Sequence, residues 1–208
     1  MQQIYIDNHL LVLVKPHGVA TQPDLHECAK QWLKTSTKKE GNVFLHPIHR
    51  LDKPASGIVL FARSSKALSR LNELLREHKI QKTYVAKVEG ILKEKEGDLT
   101  HFLFHDEYHA KVAKAPFPGA KKAHLSYKVL KTIGKNSLVE IELHTGRYHQ
   151  IRAQFAFIGH PLVGDHKYGS SIPLKNDAIA LAHVKMAFVH PVTKAPLIFS
   201  YESNEDVF

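Results

Sequence analysis

The chain has 208 residues, of which 43% are hydrophobic, and this size and composition suit one globular domain with a sizeable core. Lys and Arg number 29 against 20 Asp and Glu, so the net charge is +9, which favours phosphate-bearing partners such as nucleic acid. No apolar run reaches the roughly 18 residues that cross a bilayer, and the single cysteine, Cys28, excludes an internal disulfide. We therefore expect a cytoplasmic protein that does not associate with membranes.

The first third of the chain predicts strands, two helices and one long loop. Short strands at 4–6 and 10–14 flank a turn, and a helix over 25–34 carries Cys28, which we expect to be a small core residue. A loop follows and ends at 46–54, before an apolar run over 57–63 that predicts a buried strand. Ser64 or Ser65 then caps a helix whose apolar residues recur at helical spacing: Ala67, Leu68, Leu71, Leu74 and Leu75.

The remainder of the chain predicts mostly strands with short links. A strand at 82–88 is followed by a weakly patterned stretch, 97–121, that we interpret as short strands and a mobile loop. Strands at 123–132 and 137–143 form a hairpin around Gly134, and 148–158 is helical. Strands near 178–189 and 196–200 complete the chain. Many strands and few helices indicate an α+β fold, and the absence of a linker or repeat indicates a single domain, 1–208.

The loop before the strand at 57–63 carries an arginine and an aspartate between two prolines. Arg50 and Asp52 lie between Pro47 and Pro54. Loops between rigid elements are where reactive groups are usually displayed. An isolated Arg-x-Asp is more often a capped turn beside a solvated base, so the surrounding sequence has to decide between the two.

Four segments in chain order resemble the signature of the RluA-type pseudouridine synthase family. The central one is 49–62, HRLDKPASGIVLFA, with Ala55 where the family usually has threonine. The opening KPHG at 15–18 follows Val14, where the family has asparagine. The other two are 81–90, QKTYVAKVEG, and 145–152, TGRYHQIR, which is continued by 159–165, GHPLVGD, and by Tyr168-Gly169. The resemblance covers about residues 4–200.

The resemblance implies both a fold and a reaction. The expected fold is the pseudouridine synthase fold, a central mixed and mostly antiparallel sheet with flanking helices and an RNA-binding cleft. The expected reaction is isomerisation of uridine to pseudouridine in a stem-loop of rRNA or tRNA, with no cofactor. Many family members carry an N-terminal S4-type RNA-binding module; this chain begins directly at the catalytic strands, so we expect it to lack one and to act as a monomer.

Three residues match the family's catalytic positions. Asp52 is the expected essential carboxylate, which either attacks C1′ of the nucleotide or removes the C2′ proton. Tyr84 is expected to stack on the target uracil, although on an alternating strand it could be ordinary core. Arg152 is expected to pair with the carboxylate and keep it ionised, against the alternative of a surface arginine.

A second set of residues matches positions expected to bind RNA. Arg50 is expected to enter the RNA stack when the target base flips out, where a guanidinium plane fills the hole. Arg147 is expected to anchor RNA phosphate or to support the motif loop, and Leu181 to pack against the target base. The full RNA-binding set is His49, Arg50, Arg147, His149, Gln150 and Leu181.

Two other functions fit parts of the sequence. The chain has 16 histidines, and His101, His105 and His109 recur every four residues, which on a helix would place them on one face. Because that stretch looks like strand and loop, we expect no metal site. A non-catalytic RNA-binding protein or RNA chaperone on the same fold fits the charge equally well, but such a protein has no chemical use for Asp52, Tyr84 and Arg152 together.

Overall fold

A computed structural model describes residues 2–36 and 41–202, so Met1, 37–40 and 203–208 of the expected single domain lie outside the described residues. The elements in chain order are β1 (Gln2–Ile6), β2 (Leu10–Lys15), α1 (His26–Ser36), β3 (His46–Pro47), β4 (Ser56–Ala62), α2 (Ser65–Arg76), β5 (Gln81–Glu89), β6 (Glu96–Asp106), β7 (His109–Ala113), β8 (Lys121–Ile133), β9 (Asn136–Leu143), α3 (Gln150–Phe157), β10 (Leu181–Val189) and β11 (Pro196–Ser200). The expected α+β class is confirmed.

The chain forms two compact units. The first contains the residues up to Ile80 together with His183–Glu202, and the second contains Gln81–Ala182. The strand β10 carries the chain from the second unit back into the first. Among the described residues, no helix is both long and apolar enough to cross a membrane.

The first unit is a sheet with strand order β1-β2-β4-β10, extended by β11 on β10 and by the short β3 on β4. The pair β2 and β4 is antiparallel, with Val12 opposite Leu60, and every residue of both strands is buried. The helix α2 is capped by Ser64, whose side chain accepts a hydrogen bond from the backbone N–H of Ala67. Its inward residues join one apolar cluster with the sheet: Leu10, Val12, Ile58, Leu60, Ala67, Leu71, Met186 and Phe188. This core fixes where β4 begins, and therefore where the loop before it ends.

The second unit is an antiparallel sheet with strand order β5-β9-β8-β6-β7. One face packs against α3, where Leu103, Ala110, Ala123 and Ala153 form a cluster. The opposite face of β6, β8 and β9 carries polar residues such as Asp98 and is open to solvent. Period-two alternation of buried and exposed residues is typical of an antiparallel sheet with one covered face.

Three local expectations differ from the structure. Most of the first half of 97–121 belongs to one long strand, Glu96–Asp106, which was not expected. The short strand His109–Ala113 agrees with the expectation, and β8 begins at Lys121. The helix expected at 148–158 begins at Gln150, because His149 adopts a left-handed backbone with φ of 48°. Cys28 is exposed, so its expected place in the core was wrong; α1 turns Ala29 and Leu33 inward instead.

Gly57, near the start of β4, is held against the backbone of the neighbouring strand β10. A Cβ at this position would lie 2.3 Å from the carbonyl oxygen and 2.5 Å from the nitrogen of His183. Its φ of +114° is also a conformation that residues with a side chain rarely adopt. Glycine at 57 therefore allows β10 to approach the strand that follows the Asp52 loop.

We predict that Gly57→Ala destabilises the protein much more than Gly119→Ala. Gly119 has a similar φ, +103°, but a Cβ added there would have nothing within 4 Å, so its substitution reports the backbone strain alone, about 1–2 kcal/mol. Thermal unfolding of both variants measures the difference. Equal melting temperatures would show that the close approach of His183 does not constrain position 57.

Candidate active site

Asp52 lies in the loop between β3 and β4, on the first unit. Its side chain is partly exposed, between buried Leu51 and exposed Lys53. The backbone turns tightly here, since the N–H of Ala55 donates to the carbonyl of Asp52 at 3.0 Å. The loop thus presents the carboxylate at the surface while the residues on either side of the turn are anchored in the core.

A buried lysine stabilises this loop by hydrogen bonds to its backbone. The side chain of Lys15, at the end of β2, is fully buried, and its Nζ donates to the carbonyl oxygens of Lys53 at 3.2 Å and Ala55 at 2.6 Å. It also donates to the carbonyls of Pro16 and Val19. Burial lowers the pKa of Lys15 to about 8, against the opposing attraction of Asp52 and then Asp24 for the charged ammonium. At neutral pH, Lys15 is therefore still cationic.

The segment after Lys15 adds further hydrogen bonds to the same loop. Gly18 N–H donates to the carbonyl of Lys53, and Nδ1 of His17 lies 2.8 Å from the carbonyl oxygen of Pro54. The hydroxyl of Thr21 donates to the carbonyl of Leu51 and accepts from its N–H, at 3.1 and 3.0 Å. Residues 15–21 therefore form a brace for the Asp52 loop, which is a structural use of the KPHG segment that the sequence did not reveal.

The two expected RNA-binding residues of this loop differ in their environment. Arg50 lies two residues before Asp52, and its side chain is exposed to solvent. His49 is partly buried; its Nε2 accepts from the N–H of Leu60 at 3.3 Å, and its ring meets that of His183 edge-on at 5.3 Å. Within the first unit, the structure thus brings His49, Arg50 and Asp52 onto one braced loop.

Arg152 lies on α3 in the second unit and is 4% exposed. Its Nε and one terminal nitrogen donate to the two carboxylate oxygens of Asp165, at 2.6 and 2.8 Å. The guanidinium also lies over the ring of Tyr168, 4.9 Å from the centroid. Tyr168 is fixed in turn, because its hydroxyl accepts from the N–H of Ala110 and lies 2.9 Å from Nδ1 of His149. A two-point ion pair and a ring together fix the plane of the guanidinium.

The turn before α3 carries the other expected RNA-binding residues. Gln150 is buried, and its amide oxygen accepts from the Thr145 hydroxyl and from the N–H of Arg147, at 2.8 and 3.0 Å. Its amide nitrogen donates to the carbonyl of His124. Arg147 itself is exposed, and its Nε donates a hydrogen bond to the carbonyl of Lys122. Gln150 therefore positions the turn that displays Arg147.

Tyr84 and Leu181 are both buried. Tyr84 is 6% exposed, in the middle of β5 opposite Ile141, and Leu181 is 6% exposed at the first position of β10. Lys82, two residues before Tyr84 on the same face of β5, is also buried, and burial lowers its pKa. Direct contact with RNA stays a prediction for His49, Arg50, Arg147, His149, Gln150 and Leu181.

The three histidines spaced by four residues lie on strands, as their context indicated. His101 and His105 belong to β6 and His109 begins β7. Each meets an aromatic ring edge-on, namely Phe157, Tyr148 and Tyr168 in that order. These histidines are therefore packed individually against different side chains.

Sequence comparison relates the chain to enzymes that act on RNA. The family described as RNA pseudouridylate synthase matches residues 9–157. The dual-specificity RNA pseudouridine synthase RluA of Pasteurella multocida is 34% identical over 203 residues, covering 95% of this chain and 90% of the relative. The tRNA pseudouridine synthase C of Vibrio parahaemolyticus is 30% identical, covering 95% and 88%. An uncharacterized RNA pseudouridine synthase of Bacillus subtilis, YhcT, is 35% identical over 91% of this chain, which spans 64% of that relative.

Solved structures share the fold. The human RNA pseudouridylate synthase domain containing 4 superposes with a TM-score of 0.82 and 21% identity, covering 98% of this chain and 89% of the human one. The human RNA pseudouridylate synthase domain containing 1 superposes with a TM-score of 0.78 and 20% identity, covering 97% of this chain and 83% of the human one. The expected sheet architecture with flanking helices is therefore confirmed.

We predict that Lys15→Met lowers the free energy of unfolding by about 2 kcal/mol or more, because the apolar side chain leaves buried carbonyls of the Asp52 loop without a donor. Chemical denaturation measures the loss. The matched control is Lys53→Met, which removes the same charge from an exposed position of that loop and is expected to leave stability nearly unchanged. A Lys15→Met protein as stable as the Lys53→Met control would contradict the proposed brace.

Removing the charge of Asp165 is expected to be costly as well. Asp165→Asn keeps the shape of the side chain but leaves a buried guanidinium without its full partner, which costs about 3–5 kcal/mol. In the control Asp106→Asn, the partner is Lys111 and both side chains are largely in solvent, so the melting temperature should barely change. Similar effects of the two substitutions would show that the Arg152 ion pair is not a stabilising element.

Proposed function

The chain belongs to the RNA pseudouridylate synthase family, which isomerises uridine in RNA to pseudouridine, and from this premise we propose that it modifies uridines in structured rRNA or tRNA with Asp52 as the essential carboxylate. The observation that carries the proposal is the family match over residues 9–157, which includes the braced loop on which Asp52 is displayed. The whole chain would act as a single catalytic domain, since matching segments occur in both compact units.

The reaction places a simple demand on the carboxylate. The C1′–N1 bond of uridine breaks, a C1′–C5 bond to the same base forms, the C5 proton is released and N1 gains one, so substrate and product are isomers. An ionised carboxylate can attack C1′ directly or remove the C2′ proton to give a glycal. Both routes require a charged carboxylate at position 52.

Tyr84 and Arg152 are the further catalytic residues that the family motifs imply. Tyr84 is proposed to stack on the target uracil, and Arg152 to favour the ionised state of the catalytic carboxylate. Supporting the role of Arg152, the bidentate ion pair with Asp165 and the ring of Tyr168 hold its guanidinium in one orientation. A fixed guanidinium stabilises charge without reorganising during the reaction.

RNA binding is proposed to rely on exposed cations of both units. Arg50 lies on the same loop as Asp52, and Arg147 is displayed by the turn before α3. The net charge of +9 supports association with phosphate backbones. Relatives are named for tRNA and for the large ribosomal subunit, and single-stranded loops of such RNAs are where bases are most readily extruded. We place the protein in the cytoplasm and propose that it acts as a monomer.

The competing function is a non-catalytic RNA-binding protein on the same fold. Both functions use a basic surface, but only an enzyme needs a carboxylate on a braced loop and a fixed guanidinium. The two are separated by measuring binding and product formation on the same RNA.

We predict that Asp52→Asn abolishes pseudouridine formation while RNA affinity changes by less than about threefold, because the amide keeps the shape of the side chain but cannot act as a base or nucleophile. Single-turnover assays with a pool of unmodified rRNA and tRNA, read by mass spectrometry, measure the product, and filter binding measures the affinity.

The matched control for this experiment is Asp24→Asn. Asp24 is an exposed acid on the same unit that accepts from the N–H of Ala20, so its loss removes an equal charge near Lys15. It is expected to retain near wild-type activity. Full activity of Asp52→Asn would show that Asp52 is not the essential carboxylate. No product from the wild-type protein with any RNA of the pool would favour the non-catalytic alternative.

A further inference from the structure

Three metal-ligating side chains converge on the solvent-facing side of the second unit's sheet. Asp98 lies on β6, His124 on the neighbouring β8, and His144 directly after β9 on the other side of β8. The register explains the convergence: Leu125 pairs with Leu143, which sets His144 beside His124, and Thr100 pairs with His124, which sets Asp98 one step diagonally away. Each side chain offers one ligand atom, and the three atoms lie within 4.8 Å of one another.

The side chains are already oriented towards each other. Nε2 of His124 lies 2.8 Å from Oδ1 of Asp98, and the rings of His124 and His144 stack with centroids 4.3 Å apart. The hydroxyl of Ser126 lies 3.0 Å from Nε2 of His144. Asp98 is exposed and both histidines are half-buried, so an ion can enter from solvent.

We propose that Asp98, His124 and His144 form a binding site for Zn²⁺, independent of the isomerisation reaction. Two imidazoles and one carboxylate are a donor set typical of zinc, whereas Ca²⁺ and Mg²⁺ prefer oxygen ligands throughout. Bonds of about 2.0–2.2 Å in tetrahedral geometry separate ligand atoms by about 3.3 Å. The Asp98–His124 contact must then open by about half an ångström, which an exposed carboxylate accommodates by rotation. The fourth position is left for water.

The local charge around the three ligands also favours a cation. A groove of about 360 Å³ on this face is lined by Glu96, Asp98, Glu140 and Glu142, with Lys128 as its basic member. In a chain of net charge +9, this concentration of carboxylates produces a locally negative potential. A divalent cation is therefore attracted to the side of the sheet that bears Asp98.

The backbone around His124 connects this site to the turn that displays Arg147. The N–H of His124 donates to the Thr145 hydroxyl at 2.8 Å, and its carbonyl accepts from the N–H of Thr145 and from the amide of Gln150. Since His144 immediately precedes that turn, two of the three ligands flank it. Bound Zn²⁺ should consequently reduce hydrogen exchange in residues 144–150 as well as raise the melting temperature.

The experiment is a titration of tag-free protein with Co²⁺, whose visible absorption reports coordination geometry, followed by displacement with Zn²⁺. The wild-type chain is expected to bind one equivalent with low-micromolar or tighter affinity for Zn²⁺. His124→Gln, His144→Gln and Asp98→Asn should each weaken binding by at least about tenfold. Thermal unfolding without metal checks that each variant is folded. If a histidine variant does not fold, Asp98→Asn still tests the site, because Asp98 is exposed and its substitution should not disturb folding.

Two controls separate a defined site from general attraction of cations. Glu96→Gln removes an acid from the same face two residues away, and His78→Asn removes an exposed histidine from the other unit. Both should bind Zn²⁺ within about twofold of wild type. The proposal is overturned if binding does not saturate below millimolar metal, if the ligand variants bind as wild type does, or if Glu96→Gln weakens binding as much as Asp98→Asn.

Discussion

The loop that carries Asp52 depends on the hydrogen bonds of the buried Lys15 ammonium. Taking a charge out of water is expensive unless hydrogen bonds replace its hydration. Here the carbonyl oxygens of two segments replace it: Pro16 and Val19 before α1, and Lys53 and Ala55 around Asp52. Because the same ammonium satisfies both segments, neither can move without stranding a buried charge. The position of Asp52 is therefore fixed by the end of β2, although the two residues lie far apart in the chain.

In the second unit, a buried cation is held by an anionic partner and an aromatic ring. Arg152 is buried on α3, and Asp165 and Tyr168 hold the guanidinium by an ion pair and a ring. The hydroxyl of Tyr168 extends this network to β7 and to His149, the residue whose left-handed backbone starts α3. In each unit, buried partners thus hold in position a charged group with a proposed role, Asp52 or Arg152. The cations proposed to bind RNA, Arg50 and Arg147, are exposed. Rigid supports and exposed cations are suited to positioning a nucleotide while tolerating varied RNA backbones.

Much of this arrangement could be predicted from the sequence, because its signals are local. The apolar run before Ser64 and the leucines after it predicted β4 and α2, since period and capping reflect the immediate neighbourhood. The motif around Asp52 predicted the displayed loop. The strand Glu96–Asp106 was harder to recognise because His101 alternates with Leu99 and Leu103 on its covered face, and histidine does not read as apolar.

The remaining features depend on contacts between distant residues. The need for glycine at 57 arises from the backbone of His183, and the role of Lys15 arises from carbonyls on a loop far along the chain. Nothing in the sequence pattern indicates a role for Thr21, although its hydroxyl donates to the carbonyl of Leu51 and accepts from its N–H. The grouping of Asp98, His124 and His144 likewise follows from strand register, whereas the regular spacing of His101, His105 and His109 drew attention to residues that pack apart.

The catalytic role proposed for one carboxylate, Asp52, is what would make this chain an RNA-modifying enzyme. It is tested most directly by mapping pseudouridines at single-nucleotide resolution in all rRNA and tRNA of cells that lack the gene, with and without complementation. We expect a small set of uridines in structured loops to be unmodified in these cells. The wild-type gene should restore their modification, whereas a gene carrying Asp52→Asn should not. An unchanged map, or full restoration by the asparagine version, would contradict this role.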